Sequence, residues 1–285
     1  MTLLDLKKNM FQCLSIDKTE IESFFYILIE HRLHLSKVDF LMNPNVRISQ
    51  VDKDFFSAVL LRLKNEEPIQ YILNQTFFYG LPFEVDENTL IPRPETEELV
   101  EWIIKDQVLL KKKDLRILDI GTGSGCIPIA LSKNISNSVV TTVDVSEKAI
   151  QVAKRNAKTN KVEVCFINDT ILAPETINNT KYVFDVIVSN PPYVRNLEKQ
   201  EIKQNVLAYE PHLALFVADD DALIFYDRIT KYALKHLKKN GALYFEINQY
   251  LGEATVKLIK QLGFKNVELR KDMFGNDRMI KAFGF

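Results

Sequence analysis

Apolar residues in the first quarter of the chain follow the spacing of amphipathic helices. Two runs show it, Ile21, Phe24, Phe25, Leu28 and Phe55, Val59, Leu60, Leu63. Asp17 and Ser49 precede these runs, and their short polar side chains can cap the unpaired N–H groups at a helix start. Pro44 interrupts the region, and glycine is absent before Gly80. Residues 1–74 are therefore predicted to form a small helical bundle.

A connecting hairpin is predicted over residues 75–96. Aromatic and β-branched residues surround Gly80 and Pro82, which is typical of two short strands joined by a turn. A helical pattern follows over Glu95 to Asp106. The remaining domain is then expected to span residues 97–285.

Strand and helix patterns alternate through that larger domain. Strands are predicted at Arg116–Ile120, Val139–Val145, Val162–Asn168, Val183–Ser189 and Ala242–Ile247, and helices at Glu147–Asn160, Ala222–Leu237 and Gly252–Leu262. Such alternation indicates an α/β fold in which helices cover both faces of a parallel sheet. Two last segments, Phe264–Lys271 and Arg278–Phe285, flank a turn at Phe274-Gly275-Asn276-Asp277, so an antiparallel hairpin should end the sheet.

Composition narrows the classes of function. The 285 residues carry a net charge of −1, are 46% hydrophobic and 26% charged, and contain no apolar run long enough for a bilayer. This balance disfavours direct nucleic-acid or membrane partners. The start lacks a signal-peptide pattern, which favours the cytoplasm.

The three cysteines, Cys13, Cys126 and Cys165, have unrelated spacings. Buried free thiols are therefore expected rather than disulfides, and no metal site is expected.

The first candidate site is the glycine-rich segment that follows the first predicted strand of this domain. It reads Asp119-Ile120-Gly121-Thr122-Gly123-Ser124-Gly125 and precedes a helix, where a backbone turns tightly against a ligand. The spacing differs from the dinucleotide and P-loop patterns, so NAD and ATP are second choices, and an ordinary β–α turn is the structural alternative. Asp144 ends the next strand, where a carboxylate can accept hydrogens from ribose hydroxyls.

These residues resemble the cofactor site of class I S-adenosylmethionine-dependent methyltransferases. The resemblance implies a Rossmann-like seven-stranded sheet with a terminal antiparallel hairpin. It also implies cofactor contacts along Gly121–Gly125, with Asp119 in the same motif. Asp144 and Val145 would lie at the ribose, and Asn168-Asp169 at the adenine. The family commonly has a bulky residue after that last aspartate, where this chain has Thr170.

The second candidate site is Asn190-Pro191-Pro192-Tyr193, directly after a strand at the ligand-binding edge of the sheet. The Asn190 side chain and the Pro191 carbonyl are two rigid acceptors for the hydrogens of a planar NH₂ group, and Tyr193 offers a flat face to cover it. Asn190 would also border the cofactor. A proline-stiffened loop is the structural alternative. Glu210 and Glu246 are candidate proton acceptors, although a structural role is favoured for both.

This motif resembles that of methyltransferases acting on adenine, guanine or the glutamine amide. Three further segments, Leu90–Glu97, Glu67–Ile72 and Tyr209-Glu210-Pro211, resemble the release factor glutamine methyltransferases, the PrmC or HemK family. That resemblance implies methylation of the Gly-Gly-Gln glutamine of class-1 peptide chain release factors, with the helical domain gripping the substrate. Arg93 would order the substrate loop or pair with Glu95 or Glu97.

Three alternatives remain at this stage. One is a glutamine methyltransferase of a large-subunit ribosomal protein, and another is a nucleic-acid methyltransferase that flips adenine into the pocket. The third is a binding module that uses the same fold without catalysis. The Leu90–Glu97 segment favours the release factor enzyme over its ribosomal-protein relative, which usually departs from this pattern. The neutral charge disfavours the nucleic-acid enzyme, and the intact motifs disfavour the binding module.

Overall fold

The computed structural model describes residues 1–109, 114–179 and 182–285, which cluster into two compact units. The first unit contains Met1–Leu73 together with Gln204–Tyr209. The second contains Asn74–Lys203 and Glu210–Phe285. The chain therefore leaves the second unit once, for six residues, and returns to it.

Five helices form most of the first unit: α1 (Leu3–Cys13), α2 (Lys18–Leu33), α3 (Lys37–Met42), α4 (Gln50–Lys64) and α5 (Ile69–Leu73). The predicted helix starts are confirmed, because the Asp17 and Ser49 side chains accept hydrogen bonds from Thr19 N and Asp52 N. Pro44 lies between α3 and α4, as expected. Apolar side chains of α1, α2 and α4, including Met10, Phe25 and Phe56, fill the core.

In the described part of the chain that follows, the helices are α6 (Pro94–Leu109), α7 (Cys126–Asn134), α8 (Glu147–Asn160), α9 (Gln204–Tyr209), α10 (His212–Leu215), α11 (Ile224–His236) and α12 (Gly252–Leu262). Helix α9 is the segment that clusters with the first unit. Three short 3₁₀ turns lie at Ile177–Asn179, Asn196–Glu201 and Asp219–Asp221.

The strands all belong to the second unit. They are β1 (Thr76–Phe78), β2 (Leu81–Phe83), β3 (Arg116–Ile120), β4 (Val139–Asp144), β5 (Cys165–Asn168), β6 (Phe184–Ser189), β7 (Val194–Arg195), β8 (Phe216–Val217), β9 (Leu237–Glu246), β10 (Asn266–Lys271) and β11 (Asp277–Phe283). Strands β1 and β2 form the predicted connecting hairpin, with Thr76 opposite Phe83. The short parallel pair β7–β8 was not predicted.

Seven strands form the main sheet in the order β10-β11-β9-β6-β3-β4-β5. Strands β3, β4, β5, β6 and β9 run parallel, whereas β11 pairs antiparallel with both β9 and β10. The class I methyltransferase architecture with its terminal hairpin is thereby confirmed. Since the parallel strands end at one edge, the segments that follow β3, β4, β5 and β6 meet there.

Both faces of the sheet are buried, as the unbroken apolar strands predict. On one face Ile117 and Val186 pack with side chains of α6, α7 and α8. On the other, Leu118 and Ile187 pack with α11 and α12. Burial of each such side chain contributes about 1.5–3 kcal/mol relative to an exposed position. The two-sided core makes the sheet a firm platform for the loops at its carboxyl edge.

The two largest differences from the predicted strand boundaries, at the starts of β5 and β9, have local reasons. Strand β5 begins at Cys165 rather than Val162, because Lys161 ends α8 in a left-handed conformation and Val162 N bonds back to Ala157 O. Strand β9 begins at Leu237, where we expected the end of a helix. Its register against β6 is irregular, so the residues before Ala242 form a bulge that the sequence pattern did not reveal.

Candidate functional site

A cavity of about 370 Å³ opens at the carboxyl edge of the main sheet. Eleven of the site residues predicted from the sequence line it: Arg93, Gly121, Thr122, Gly123, Ser124, Asp144, Val145, Asp169, Asn190, Pro191 and Pro192. Four others are not among the described residues that line it: Asp119, Gly125, Asn168 and Tyr193. The fold thus brings both candidate motifs to one cavity.

The glycine-rich turn after β3 forms one wall. Gly121 and Gly123 have φ values of 84° and 52°, which favour glycine, and Gly121 N donates to Val143 O. A Cβ atom on Gly121 would lie 3.7 Å from the Asn190 carbonyl oxygen, so the two motifs are neighbours. At Gly125 glycine is required for lack of space, since a Cβ there would lie 3.0 Å from Ala153 and Ile129 side-chain atoms. It allows the turn to pack against α7 and α8.

Asp144 projects from the end of β4 into this wall. Gly123 N donates to its Oδ2 at 2.9 Å, and Ser146 N donates to its Oδ1 at 2.8 Å. Burial raises the pKa of this carboxyl, and the same backbone N–H groups oppose the shift. Each oxygen keeps a further lone pair, so the carboxylate can still accept hydrogens from hydroxyl groups of a ligand.

Asp119 lies under the turn rather than on the cavity surface. Its side chain is fully buried, and Thr142 Oγ1 donates to Oδ2 at 2.7 Å. Burial raises the pKa of this carboxyl to about 7, although the hydrogen bond from Thr142 and the nearby Thr122 hydroxyl lower it. The expectation that Asp119 contacts the cofactor gives way to a supporting role: the residue ties β3 to β4 beneath the glycine turn.

Asn168 and Asp169, at the carboxyl end of β5, make different contacts. The Asn168 side chain donates to the carbonyl oxygens of Asp144 and Val145, which fastens the loop after β4. Asp169 lines the cavity, and its carboxylate accepts from four backbone N–H groups between Thr170 and Ile177. Partial burial would raise its pKa, but these donors hold the pKa below its ordinary value. Ile171 and Leu172 are thereby presented to the cavity.

The Asn190 side chain is held by a chain of hydrogen bonds. Its Nδ2 donates to Thr96 Oγ1 at 3.3 Å, and Thr96 Oγ1 donates to Glu246 Oε2 at 2.6 Å. The other carboxylate oxygen of Glu246 accepts from Tyr193 Oη at 3.0 Å. Burial raises the pKa of Glu246, while the Thr96 and Tyr193 hydrogen bonds lower it. Tyr193 is thus tied to this network through its hydroxyl, and the predicted contact of its ring with the substrate stays a prediction.

Arg93 has a different partner from those expected. Its guanidinium donates to Glu210 Oε1 at 2.5 Å, and Glu210 Oε2 accepts from Ile91 N. Pairing with Glu95 or Glu97 was therefore wrong, and Glu97 instead accepts from Tyr79 N. The Leu90–Glu97 segment and the Tyr209-Glu210-Pro211 motif are joined by this buried carboxylate.

Several cavity residues were missed by the sequence analysis. They are mainly apolar or small side chains that lie on separate elements: Leu90, Pro92, Thr96, Cys126, Ile127, Ile171, Leu172, Leu213, Ala214 and Phe225. Leu90, Pro92 and Thr96 fall inside a segment that the sequence did single out. The others carry no local pattern, because an apolar residue in a loop does not reveal which cavity it faces.

Metal ligands, membrane-spanning helices and cysteines complete the predictions for this chain. Within the described ranges, no group of three or more His, Cys, Asp or Glu residues could hold a metal ion. Among those residues, too, no helix is both long and apolar enough to pass through a bilayer. The expectation of buried thiols was wrong for Cys165, which is exposed, and Cys13 and Cys126 are half-buried.

Comparison with known proteins places the chain in a family. Residues 6–73 match the model of the PrmC N-terminal domain, and residues 104–213 match that of the methyltransferase small domain. A release factor glutamine methyltransferase of Flavobacterium psychrophilum is 57% identical over 267 residues, which is 93% of either chain. The chain belongs to the release factor glutamine methyltransferase family. A second member, from Bacteroides thetaiotaomicron, is 40% identical over 92% of both chains.

A solved structure supports the fold alone. A methyltransferase from Pyrococcus furiosus superimposes with a TM-score of 0.52 at 20% identity, over 80% of this chain and all of the other. The family assignment accounts for both halves of this chain: the first family model covers most of the helical unit, and the second covers the glycine turn and the Asn190 motif.

Proposed function

We propose that this protein transfers a methyl group from S-adenosylmethionine to the side-chain amide nitrogen of a glutamine, that of the Gly-Gly-Gln motif in class-1 peptide chain release factors. The observation that carries the proposal is the juxtaposition of the glycine turn and the Asn190 motif in one cavity, with Gly121 against the Asn190 carbonyl. Membership of the release factor glutamine methyltransferase family supplies the substrate class.

The residues of the cavity fit this cofactor. Asp144 offers carboxylate lone pairs for ribose hydroxyls, and the open backbone at Gly121 and Gly123 admits an amino-acid tail. Ile171 and Leu172 give an apolar surface of the kind that a purine ring requires. When bound, S-adenosylmethionine supplies a methyl group activated by its sulfonium.

Asn190 and Pro191 position the substrate nitrogen. An amide nitrogen is a weak nucleophile, because its lone pair is delocalised into the carbonyl group. Its two hydrogens can bond to Asn190 Oδ1 and the Pro191 carbonyl oxygen, which favours the positive charge that develops on nitrogen during attack. Holding the nitrogen in line supplies most of the remaining gain, and effective molarities of well-oriented groups reach roughly 10⁵ M or more.

Neither candidate proton acceptor lines the cavity within the described part of the chain. Glu210 is engaged by Arg93 and Ile91, and Glu246 lies behind Thr96. Both carboxylates therefore organise the site, and the proton released from the methylated nitrogen leaves to solvent.

A labelling experiment tests the substrate. The purified protein is incubated with radiolabelled S-adenosylmethionine and, separately, a full-length release factor, its Gly-Gly-Ala variant, a ribosomal protein mixture and duplex DNA. We expect label on the release factor that is lost in the variant. Label confined to a ribosomal protein would move the enzyme to that substrate, and label confined to DNA would make the pocket a site for a flipped base.

A substitution tests the acceptor. Asn190→Ala removes the side-chain acceptor from the cavity and should abolish turnover, while cofactor binding measured by calorimetry stays close to that of the parent protein. Turnover near the parent rate would contradict the role given to Asn190.

The remaining assignments follow from the substrate. The helical unit is proposed to contact the release factor, and the protein is expected to work in the cytoplasm without direct contact to nucleic acid. The formal charge of −1 agrees with a protein rather than a polyanion as substrate.

A further inference from the structure

The orientation of the Asn190 side chain decides whether it can act. A carboxamide has an accepting oxygen at one end and a donating NH₂ group at the other. Only Oδ1 can accept a hydrogen from a substrate amide. With Nδ2 facing the cavity, two donor groups would oppose each other, and the substrate NH₂ group would lose one of its two acceptors. The side chain therefore needs a partner that selects one end.

The Nδ2 end of the Asn190 side chain contacts Thr96. Thr96 lies in the first turn of α6 and is 2% exposed, with Oγ1 3.3 Å from Asn190 Nδ2 and 2.6 Å from Glu246 Oε2. A hydroxyl has a single hydrogen. The contact with Glu246 is much the shorter of the two, so the hydrogen of Thr96 points to Glu246, and toward Asn190 the hydroxyl can only accept.

Glu246 is well placed to hold that hydrogen. It is 1% exposed at the end of β9, and Tyr193 Oη occupies its second oxygen at 3.0 Å. Burial raises the pKa of this carboxyl, while the hydrogen bonds from Thr96 and Tyr193 and the nearby guanidinium of Arg278 lower it. Three separate segments supply this network: Asn190 follows β6, Thr96 lies in α6, and Glu246 ends β9.

We propose that Thr96 is a positioning residue for methyl transfer: because its hydroxyl donates to Glu246, it accepts from Asn190 Nδ2 and fixes the Asn190 oxygen toward the substrate. This inference rests on the acceptor role proposed above for Asn190. Thr96 does not touch the reacting atoms, and it affects the reaction only by orienting the side-chain amide of Asn190.

Substitutions at this single position test the inference. Thr96→Val keeps the shape of the side chain but removes the hydroxyl, so kcat should fall on the order of a hundredfold, as expected when a reacting group is misplaced. Thr96→Ser keeps the hydroxyl and should restore most of kcat. The cofactor Kd should stay unchanged in both variants, since Asp144 and the glycine turn are untouched. Thr96→Ala, a second variant without the hydroxyl, replaces Val if that protein does not fold.

A matched control removes a buried hydroxyl elsewhere. Thr255 on α12 is fully buried, and its Oγ1 donates to Leu251 O. Thr255→Val should lower stability without changing kcat, which separates a general packing loss from loss of orientation.

Two results would overturn the inference: parent kcat in Thr96→Val, or an equal loss in Thr96→Ser and Thr96→Val. Asn190→Ala shows which idea has failed. If Asn190→Ala is inactive while Thr96→Val is fully active, the acceptor role stands and the positioning role is wrong. If Asn190→Ala is also active, the proposed function of Asn190 itself is wrong.

Discussion

Asp119 and Asp144 show how position determines the chemistry of a carboxyl group. Both belong to adjacent parallel strands at the edge that carries the cavity. The Asp144 carboxylate accepts from backbone N–H groups and faces the cavity, whereas Asp119 is fully enclosed and accepts from a threonine hydroxyl. The first is suited to binding a polar ligand, and the second to holding two strands together.

Removing the Asp144 carboxylate should weaken cofactor binding. Asp144→Ala is expected to cost about 1.5–3 kcal/mol for hydrogen bonds to a charged acceptor, or roughly ten- to a hundredfold in Kd. Titration calorimetry with S-adenosylmethionine measures this change. Asp227→Ala on α11, which removes a half-buried carboxylate paired with Lys231, serves as the charge control. Equal Kd values for Asp144→Ala and the parent protein would remove Asp144 from the site.

The raised pKa of Asp119 predicts a specific pH dependence of stability. Its folded-state pKa is about 7, against an ordinary value of 3.8, because burial favours the neutral form. The stability from this group is fully present below pH 3.8 and is lost as the pH rises to about 7. In Asp119→Asn that loss is absent, so the unfolding free energy of the parent should fall relative to the variant by about 1.4 kcal/mol per pH unit between pH 5 and 6, and by about half that slope near pH 7.

Urea unfolding of both proteins from pH 5 to pH 8 measures the difference, which should level off above about pH 7. Parallel curves for the two proteins over this range would show that Asp119 does not titrate there.

The glycine-rich turn after β3 combines two different uses of glycine. Gly123 has space around its Cβ position, with no atom within 4 Å, and its N–H binds Asp144. Gly125 lies directly against Ala153 and Ile129, so it lets the turn approach two helices. The turn is therefore shaped both by the ligand-binding side and by the core beneath it.

Alanine substitutions at Gly123 and Gly125 should differ in their effect on stability. Both residues have positive φ, which costs an alanine about 1–2 kcal/mol. Gly125→Ala should lose about 1–3 kcal/mol more, since its new methyl group overpacks the interface with α7 and α8. Thermal or urea unfolding measures the loss, with Gly123→Ala as the matched control. Equal losses in the two variants would show that the helices yield to the added methyl group at no cost.

The helical unit presents apolar side chains on α3 that its own core does not use. Val38, Leu41 and Met42 are 66%, 62% and 82% exposed. A substrate-gripping role for this unit predicts that the double substitution Leu41→Lys, Met42→Lys raises the KM for an intact release factor about tenfold, which corresponds to about 1.4 kcal/mol. The kcat and the cofactor Kd should not change, because both depend on the second unit.

Steady-state kinetics on the full-length release factor tests this prediction. Val139→Lys is the control, since Val139 is an exposed apolar residue at the opposite, amino-terminal edge of the sheet. An unchanged KM in the α3 variant would remove this surface from substrate binding.

Local sequence patterns were enough to predict the architecture and the principal wall of the cavity. Apolar strand runs, helix caps and the glycine turn each depend on residues a few positions apart, so they can be recognised without a structure. The order of the parallel strands then follows from a well-populated fold, and it places Gly121, Asp144 and Asn190 at one edge. The predicted strand starts were wrong where a helix cap or a bulge intervened, at Lys161 and before Ala242.

The hydrogen-bond partners around the site depended on the tertiary structure. Thr96 and Glu246 are 150 positions apart, Asn190 and Thr96 are 94 apart, and Arg93 and Glu210 are 117 apart. No local pattern specifies which buried hydroxyl meets which carboxylate, because polar groups in a core are paired by whatever the packing of distant elements brings within reach. For the same reason the hydrogen bonds that Asp119, Asn168 and Tyr193 make to neighbouring segments could not be read from the motifs to which these residues belong.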